Sequence, residues 1–335
     1  VSSGLADLWK GLRSSGAETD GWIRLRVPDL PDIPLYLATH GQTGLDGLIL
    51  EIPTRSVDPS SLQERTQGFE VTSGALTPGR GGTTRVILGL SAPAFQDVFR
   101  ALCADIVGAL SDVRSIDDAA AEFTRRLKRW QRFLQAHGSD GLSDSECLGL
   151  VGELWCLRQL LSGQVDAATA LSGWTGPDRE ARDFALPGGD IEVKTTGSMA
   201  PTELRISSLQ QLATTTDRRL VVFHLVASRN PTVGQTLPEL VSDLKELVGD
   251  SIGLLEERLF AAGYLEEHRH RYEAPRYQLI AEQAFDITAA FPRLISENVP
   301  TGITKSTYSI SLAAIQGFQL AKFQPAMLLE EPPQR

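Results

Sequence analysis

The chain has 335 residues, of which 41% are hydrophobic and 22% charged, and a formal net charge of −10. That length suits two or three domains of ordinary size, and the composition is that of a soluble globular protein rather than a disordered or fibrous one. No apolar run approaches the roughly 20 residues of a membrane helix, and the acidic balance disfavours non-specific adhesion to nucleic acid, so any nucleic-acid role requires a local basic surface.

In chain order, Leu5, Leu8, Trp9 and Leu12 recur at the spacing of a short amphipathic helix over 5–13. From Trp22 to Leu90 the pattern turns strand-like, with runs at 23–27, 35–37, 48–52, 69–71 and 86–88 separated by Pro and Gly clusters. This predicts a β-rich, antiparallel N-terminal domain over 1–90. Pro78-Gly79-Arg80-Gly81-Gly82 lacks the GK[ST] ending of a phosphate loop and precedes a strand, so it reads as a hairpin turn. Two helices are expected next, at about 92–110 and 116–136. On the second, Phe123, Leu127, Trp130 and Leu134 share one face, while Arg125, Lys128, Arg129 and Arg132 share the opposite one. That basic face is either a solvated surface or a phosphate-contacting ridge. Gly138 and Ser143-Asp144-Ser145-Glu146 then close one helix and cap the next, a largely apolar run through Leu161.

The most informative stretch is Arg182 to Thr196. Pro187-Gly188-Gly189 is a hairpin signal between two short strands. In the second strand Asp190, Glu192 and Lys194 face one way and Ile191 and Val193 the other. A two-residue loop pairs Leu186 with Gly189 and sets Asp183 opposite Glu192, with Cβ atoms about 5 Å apart. A three-residue loop shifts the pairing by one but keeps the two acids neighbours. Carboxylates that close repel unless a cation stands between them, and Lys194 offsets this only in part. The geometry is that of a divalent-metal site.

Asp183 followed by Glu192-Val193-Lys194 in a strand resembles the D…(D/E)-x-K core of the PD-(D/E)XK nuclease superfamily. Gly152-Glu153-Leu154 on an apolar helix, Trp174, Asp183-Phe184 and Gln211-Leu212 extend the likeness. More narrowly, they resemble bacterial members of uncharacterised activity linked to restriction-modification and phage defence. The motif-bearing likeness covers about residues 143–225. It implies an α/β, restriction-endonuclease-like core over 91–230, including the two preceding helices, and an α+β region over 231–335. It also implies metal-dependent hydrolysis of DNA phosphodiester bonds, with Asp183, Glu192, the Val193 carbonyl and Glu153 holding Mg²⁺ or Mn²⁺. Lys194 would polarise the attacking water, and Gln211 would hold the nucleophile or a phosphate. Arg125, Lys128, Arg129 and Arg132 would contact nucleic acid. Pro177-Asp178 is a literal PD pair, but it lies before the hairpin, so Asp183 is preferred. Implied partners are DNA, ATPase or methyltransferase subunits, and a second copy of the chain.

Beyond the hairpin a helix is expected at about 208–214, a buried central strand at 219–226, and helices at about 237–248 and 251–262. A basic, Tyr-containing run and strands near 277–280 and 308–312 follow, an order also open to a winged-helix reading, and the tail from Glu330 is expected to fray. His268 and His270 form the one metal-spaced histidine pair, set in a basic surface run. Asp243-Leu244-Lys245 is a decoy, since a helix does not align its acid and lysine on a sheet face. Cys103, Cys147 and Cys156 are widely spaced and odd in number, which argues for a reducing cytoplasm and against a zinc ribbon. Val1-Ser2-Ser3-Gly4 shows no basic-then-apolar leader, and the missing initiator methionine reads as a processed or cloned start. Two other functions stay open: a catalytically inactive DNA-binding or scaffolding subunit, and an RNA-processing nuclease.

Overall fold

The structure is a computed structural model describing residues 2–15, 20–28, 30, 32–54, 68–76, 82–214 and 218–329. It divides into two compact units, Val1–Gly141 and Leu142–Arg335. Among the described residues there are sheets of five, four and two strands, so the architecture is mixed α/β.

In the first unit, helix α1 (Ser2–Ser15) precedes β1 (Trp22–Arg26), β2 (Leu35–His40), β3 (Asp46–Pro53), β4 (Phe69–Ala75) and β5 (Thr83–Leu90). These strands form one sheet in the order β1-β2-β3-β5-β4, with every pairing antiparallel. The alternation that predicts strands here also builds the core, since Leu35, Leu37, Leu48, Leu50, Val86 and Leu88 are all buried. Helices α2 (Gln96–Leu110) and α3 (Ile116–His137) follow. α1 packs on β2 and α3 on β3, while α2 packs against both helices. Trp9 of α1 is buried and donates its indole N–H to the carbonyls of Ala38 and Gly47. Most of the glycine-rich turn expected at Pro78–Gly82 lies outside the described residues, as does the tail from Glu330.

The apolar face of α3 is as expected, with Phe123, Leu127, Trp130 and Leu134 buried. Its basic face is less uniformly charged than the sequence suggests. Arg125 pairs with Glu122, one turn away, and Arg126 bridges Glu122 and Asp105.

The second unit opens with α4 (Asp144–Ser162), started by a capping box in which Ser143 and Glu146 satisfy each other's backbone N–H. Then come α5 (Ala167–Gly173), β6 (Phe184–Leu186), β7 (Gly189–Thr196), β8 (Glu203–Ile206) and β9 (Arg219–Asn230). Helices α6 (Leu237–Val248) and α7 (Ile252–Ala261) follow, then β10 (Arg276–Asp286) and β11 (Tyr308–Ser311). The four-stranded sheet runs β10-β9-β7-β6, with β7 and β9 parallel and the other pairings antiparallel. β9 is the expected central strand, buried from Leu220 to Ala227. Ile191, Val193, Val221, Phe223 and Leu225 pack on one face with the apolar residues of α4, α6 and α7. Leu220, Val222 and Phe285 pack on the other with β8, β11 and their flanking turns.

The helix expected at 208–214 and the open winged-helix reading differ from what is found. The helix at 208–214 is one 3-10 turn, Gln210–Leu212. The cause is visible in its carbonyls: Arg182 takes those of Gln210 and Ala213, and Arg293 takes that of Leu212. No winged-helix hairpin forms, because β10 joins the main sheet beside β9 while β11 pairs with β8. The two helices grouped with the nuclease core, α2 and α3, fall within the first compact unit, and residues 231–335 fall within the second.

Candidate active site

The hairpin register is that of the two-residue loop, with Leu186 opposite Gly189 and Phe184 opposite Ile191. Asp183 lies one step beyond the end of β6, its N–H bonded to the Ile191 carbonyl. Because β6 is only three residues long, it leaves the edge of β7 uncovered at Val193. The Asp183 side chain fills that gap, its Oδ2 accepting the Val193 N–H at 2.7 Å. Both backbone polar groups of a strand residue face the same edge, so the Val193 carbonyl points to this side as well.

Glu192 and Lys194 share the opposite strand face from Ile191 and Val193, and Lys194 Nζ meets Glu192 Oε1 at 2.7 Å. The Glu192 side chain is 2% exposed and that of Lys194 17%, so the ammonium is the solvent-facing member of the pair. Glu153 arrives from α4, which lies against β7. The approach depends on Gly152: a Cβ there would overlap Thr195 Oγ1 and lie 2.9 Å from Thr195 Cβ. At the far side, a Cβ on Gly176 would lie 2.8 Å from Glu153 Oε2 and 3.1 Å from Asp183 Oδ1. The two carboxylates therefore converge on the same small volume.

Three acids thus lie within the electrostatic reach of Lys194, which pairs directly with Glu192, and two of them feel Arg182 as well. Loss of water around Glu153 raises its pKa, the Asp183 charge adds to this, and the Trp174 indole N–H opposes it. Asp183 is also raised by burial, against the Val193 N–H and the Lys194 charge. Burial, then Asp183, pushes Glu192 up to about 8 despite Lys194. The donor set is all oxygen, the kind a hard divalent cation takes, and such an ion would displace the protons that burial holds on these carboxyls. The residues fit the group. Among the described residues no three His, Cys, Asp or Glu side chains stand in a ready ligand arrangement; these carboxylates are engaged instead by the N–H of Val193, Lys194 and Trp174.

Of the other expected residues, Gln211 lies in the 3-10 turn, its side-chain oxygen accepting the Ser207 N–H at 2.8 Å. Asp178 of the literal PD pair forms an ion pair with Arg258 on α7. Asp190 pairs with Arg218 at the loop end of the hairpin. His268 is buried and His270 exposed, so the pair does not present two ligands together. Arg125, Lys128, Arg129 and Arg132 belong to the first unit, where Arg129 is half-buried and the other three are exposed.

Sequence reasoning gave no role to Trp174 or Gly176. Trp174 belongs to the resemblance, but its partner is 21 positions away, a separation that no local pattern reports.

The family model described as "Putative PD-(D/E)XK family member (DUF4420)" matches residues 5–313. Comparisons with curated proteins and with solved structures returned no match. The mixed α/β architecture is compatible with a PD-(D/E)XK-like fold, and no described helix is long and apolar enough to cross a membrane. With the family model spanning nearly the whole chain and the D…E-x-K residues gathered at one sheet edge, the chain belongs to this PD-(D/E)XK family.

Proposed function

We propose that the protein is a metal-dependent nuclease that hydrolyses DNA phosphodiester bonds, an endonuclease component of a bacterial restriction or phage-defence system. The observation that carries this reading is the convergence of Glu153, Asp183 and Glu192 around Lys194 at the uncovered edge of β7. Three carboxyl groups gathered in this way work against folding, since burial and mutual repulsion push Glu153 and Glu192 up to about 8. When bound, Mg²⁺ or Mn²⁺ supplies charge neutralisation at the phosphate and a water of lowered pKa.

The chain's own groups do the rest. Asp183, fixed through Oδ2 by the Val193 N–H, keeps Oδ1 toward the space it shares with Glu153. Glu192, Glu153 and the Val193 carbonyl complete the oxygen set. Lys194, more exposed than the Glu192 it pairs with, orients the attacking water and stabilises negative charge on the phosphate as water oxygen bonds to phosphorus and the ester P–O bond breaks. Gln211 holds the 3-10 turn beside the hairpin and offers its amide N–H to a phosphate or the nucleophile. The exposed cations Lys128 and Arg132, with Arg125 and Arg129, provide sequence-independent phosphate contacts. The three buried thiols fit a reducing cytoplasm. ATPase or methyltransferase subunits and a second copy of the chain are the expected partners.

A second reading, a non-catalytic DNA-binding or scaffolding subunit, is favoured by the net charge of −10. The test is incubation of supercoiled plasmid, linear duplex and single-stranded DNA with Mg²⁺ or Mn²⁺, comparing wild type with Lys194→Ala. Metal-dependent cutting that the variant loses is expected. Intact DNA in every reaction, alongside DNA binding that Lys194→Ala retains, would favour the scaffolding reading.

A further inference from the structure

We infer that Trp174-Thr175-Gly176 is a positioning element that locks the α4 carboxylate, Glu153, onto Asp183, with the Trp174 indole N–H as its key contact. This rests on the metal-site reading above and names residues to which that reading gives no task.

The segment touches both acids by different means. Trp174 is fully buried and donates its indole N–H to Glu153 Oε2 at 2.7 Å. The N–H groups of Thr175 and Gly176 both donate to the Asp183 carbonyl, at 2.9 and 3.0 Å. The ring is fixed independently of that hydrogen bond. It stacks on Phe184 with 14° between planes and 6.3 Å between centroids, and its backbone bridges to Phe184. Since Phe184 directly follows Asp183, the indole reads the position of the hairpin and transmits it to the helix. Gly176 then leaves open the volume between Glu153 Oε2 and Asp183 Oδ1.

Such an outer contact does two things to a carboxylate ligand. It selects which oxygen faces the ion, and it removes the rotamer freedom the ligand would otherwise lose on binding. Glu153 carries a flexible side chain on a helix, whereas Glu192 sits on β7 and Asp183 is tied to its edge by the Val193 N–H, so Glu153 is the acid that most needs external fixing.

The experiment is calorimetric titration of the full chain with Mn²⁺ for wild type, Trp174→Phe, Glu153→Gln, the double variant and Gly176→Ala, with a thermal melt of each. Trp174→Phe keeps the stacked ring and removes only the donor. The expected result is a roughly 10–100-fold loss of Mn²⁺ affinity, with little further loss when Trp174→Phe is added to Glu153→Gln. That non-additivity is the signature of a residue acting through Glu153. Gly176→Ala, whose Cβ would lie 2.8 Å from Glu153 Oε2 and fill the shared volume, is expected to lose affinity as well. Wild-type affinity in Trp174→Phe, or an equal loss on either Glu153 background, would overturn the inference while leaving the metal site standing. Absence of Mn²⁺ binding by wild type would remove the metal-site reading itself and this inference with it.

Discussion

The two compact units both bury carboxylates, and they treat them in opposite ways. In the first, Asp46 is fully buried and holds Arg13, Arg100 and Gln96, while Glu51 is 4% exposed and holds Arg24 and Arg85. Each acid there has two guanidinium partners. Burial alone would raise Glu51, but the hydrogen bonds from Arg24 and Arg85 outweigh it and hold the carboxyl below its ordinary value. In the second unit Lys194 pairs with Glu192 and acts on Asp183 and Glu153 through its charge, while Arg182 also lowers Asp183 and Glu192 but gives its Nη hydrogen bonds to the carbonyls of Gln210 and Ala213. The difference teaches how to separate a structural ion pair from a functional site. Glu192 is as deeply buried as Asp46 and Glu51, but its ion-pair partner is the Lys194 ammonium where each of those acids has two guanidiniums.

The largest effect expected from breaking this contrast is on chemistry. Lys194→Ala or Asp183→Asn should lower metal-dependent cleavage by about 10²–10³-fold or more, the usual cost of removing a group aimed at developing charge, with circular dichroism unchanged. Next comes stability in the first unit. Asp46→Ala leaves two arginines without their carboxylate and should cost about 1–3 kcal/mol in denaturant unfolding. That is less than the ~3–5 of a wholly buried pair, because the Arg13 and Arg100 side chains remain 31% and 26% exposed. Of similar size is Gly152→Ala, whose new Cβ overlaps Thr195. Overpacking of this kind costs about 1–3 kcal/mol, and Thr195→Ala in the same chain should recover part of it.

A subtler effect sharpens the comparison through pH. Glu192 is raised from 4.5 to about 8, so the folded, metal-free protein binds the proton that the unfolded chain has released. Its contribution to stability therefore falls as pH rises from about 4.5 to about 8. Glu192→Gln should flatten that slope in thermal melts recorded with EDTA. Glu51 is lowered, so its contribution is present above 4.5 and is lost as pH falls through its depressed folded value. Glu51→Gln should flatten the acid side only. The smallest effect is on DNA affinity. Lys128→Ala and Arg132→Ala should each reduce the slope of log affinity against log salt by about one. Arg125→Ala should change it less, because Glu122 already neutralises that guanidinium.

Much of the hairpin was legible because its information is local. Pro187-Gly188-Gly189 marks a two- or three-residue turn, and either one keeps Asp183 beside Glu192 without reference to the rest of the chain; the structure takes the two-residue register. The five N-terminal strands were legible for the same reason. What could not be read were partnerships between distant segments. The 3-10 turn at Gln210–Leu212 has the composition of a helix, but arginines 28 or more residues away claim its carbonyls. β10 and β11 carry strand periodicity, which marks a strand and not its neighbour. Gly152 against Thr195 and Trp174 against Glu153 are close approaches between an α-helical segment and another element, and they leave no period in the sequence.

The most direct test of the central claim is a calorimetric titration of metal-free wild type and Asp183→Asn with Mn²⁺, repeated in buffers of different ionisation enthalpy. The expected result is saturable binding by wild type with net proton release near pH 7, because Glu192 holds its proton up to about 8, and loss of that binding in Asp183→Asn. No binding by wild type, or binding that survives in Asp183→Asn, would contradict the assignment of these enclosed acids as a cation site.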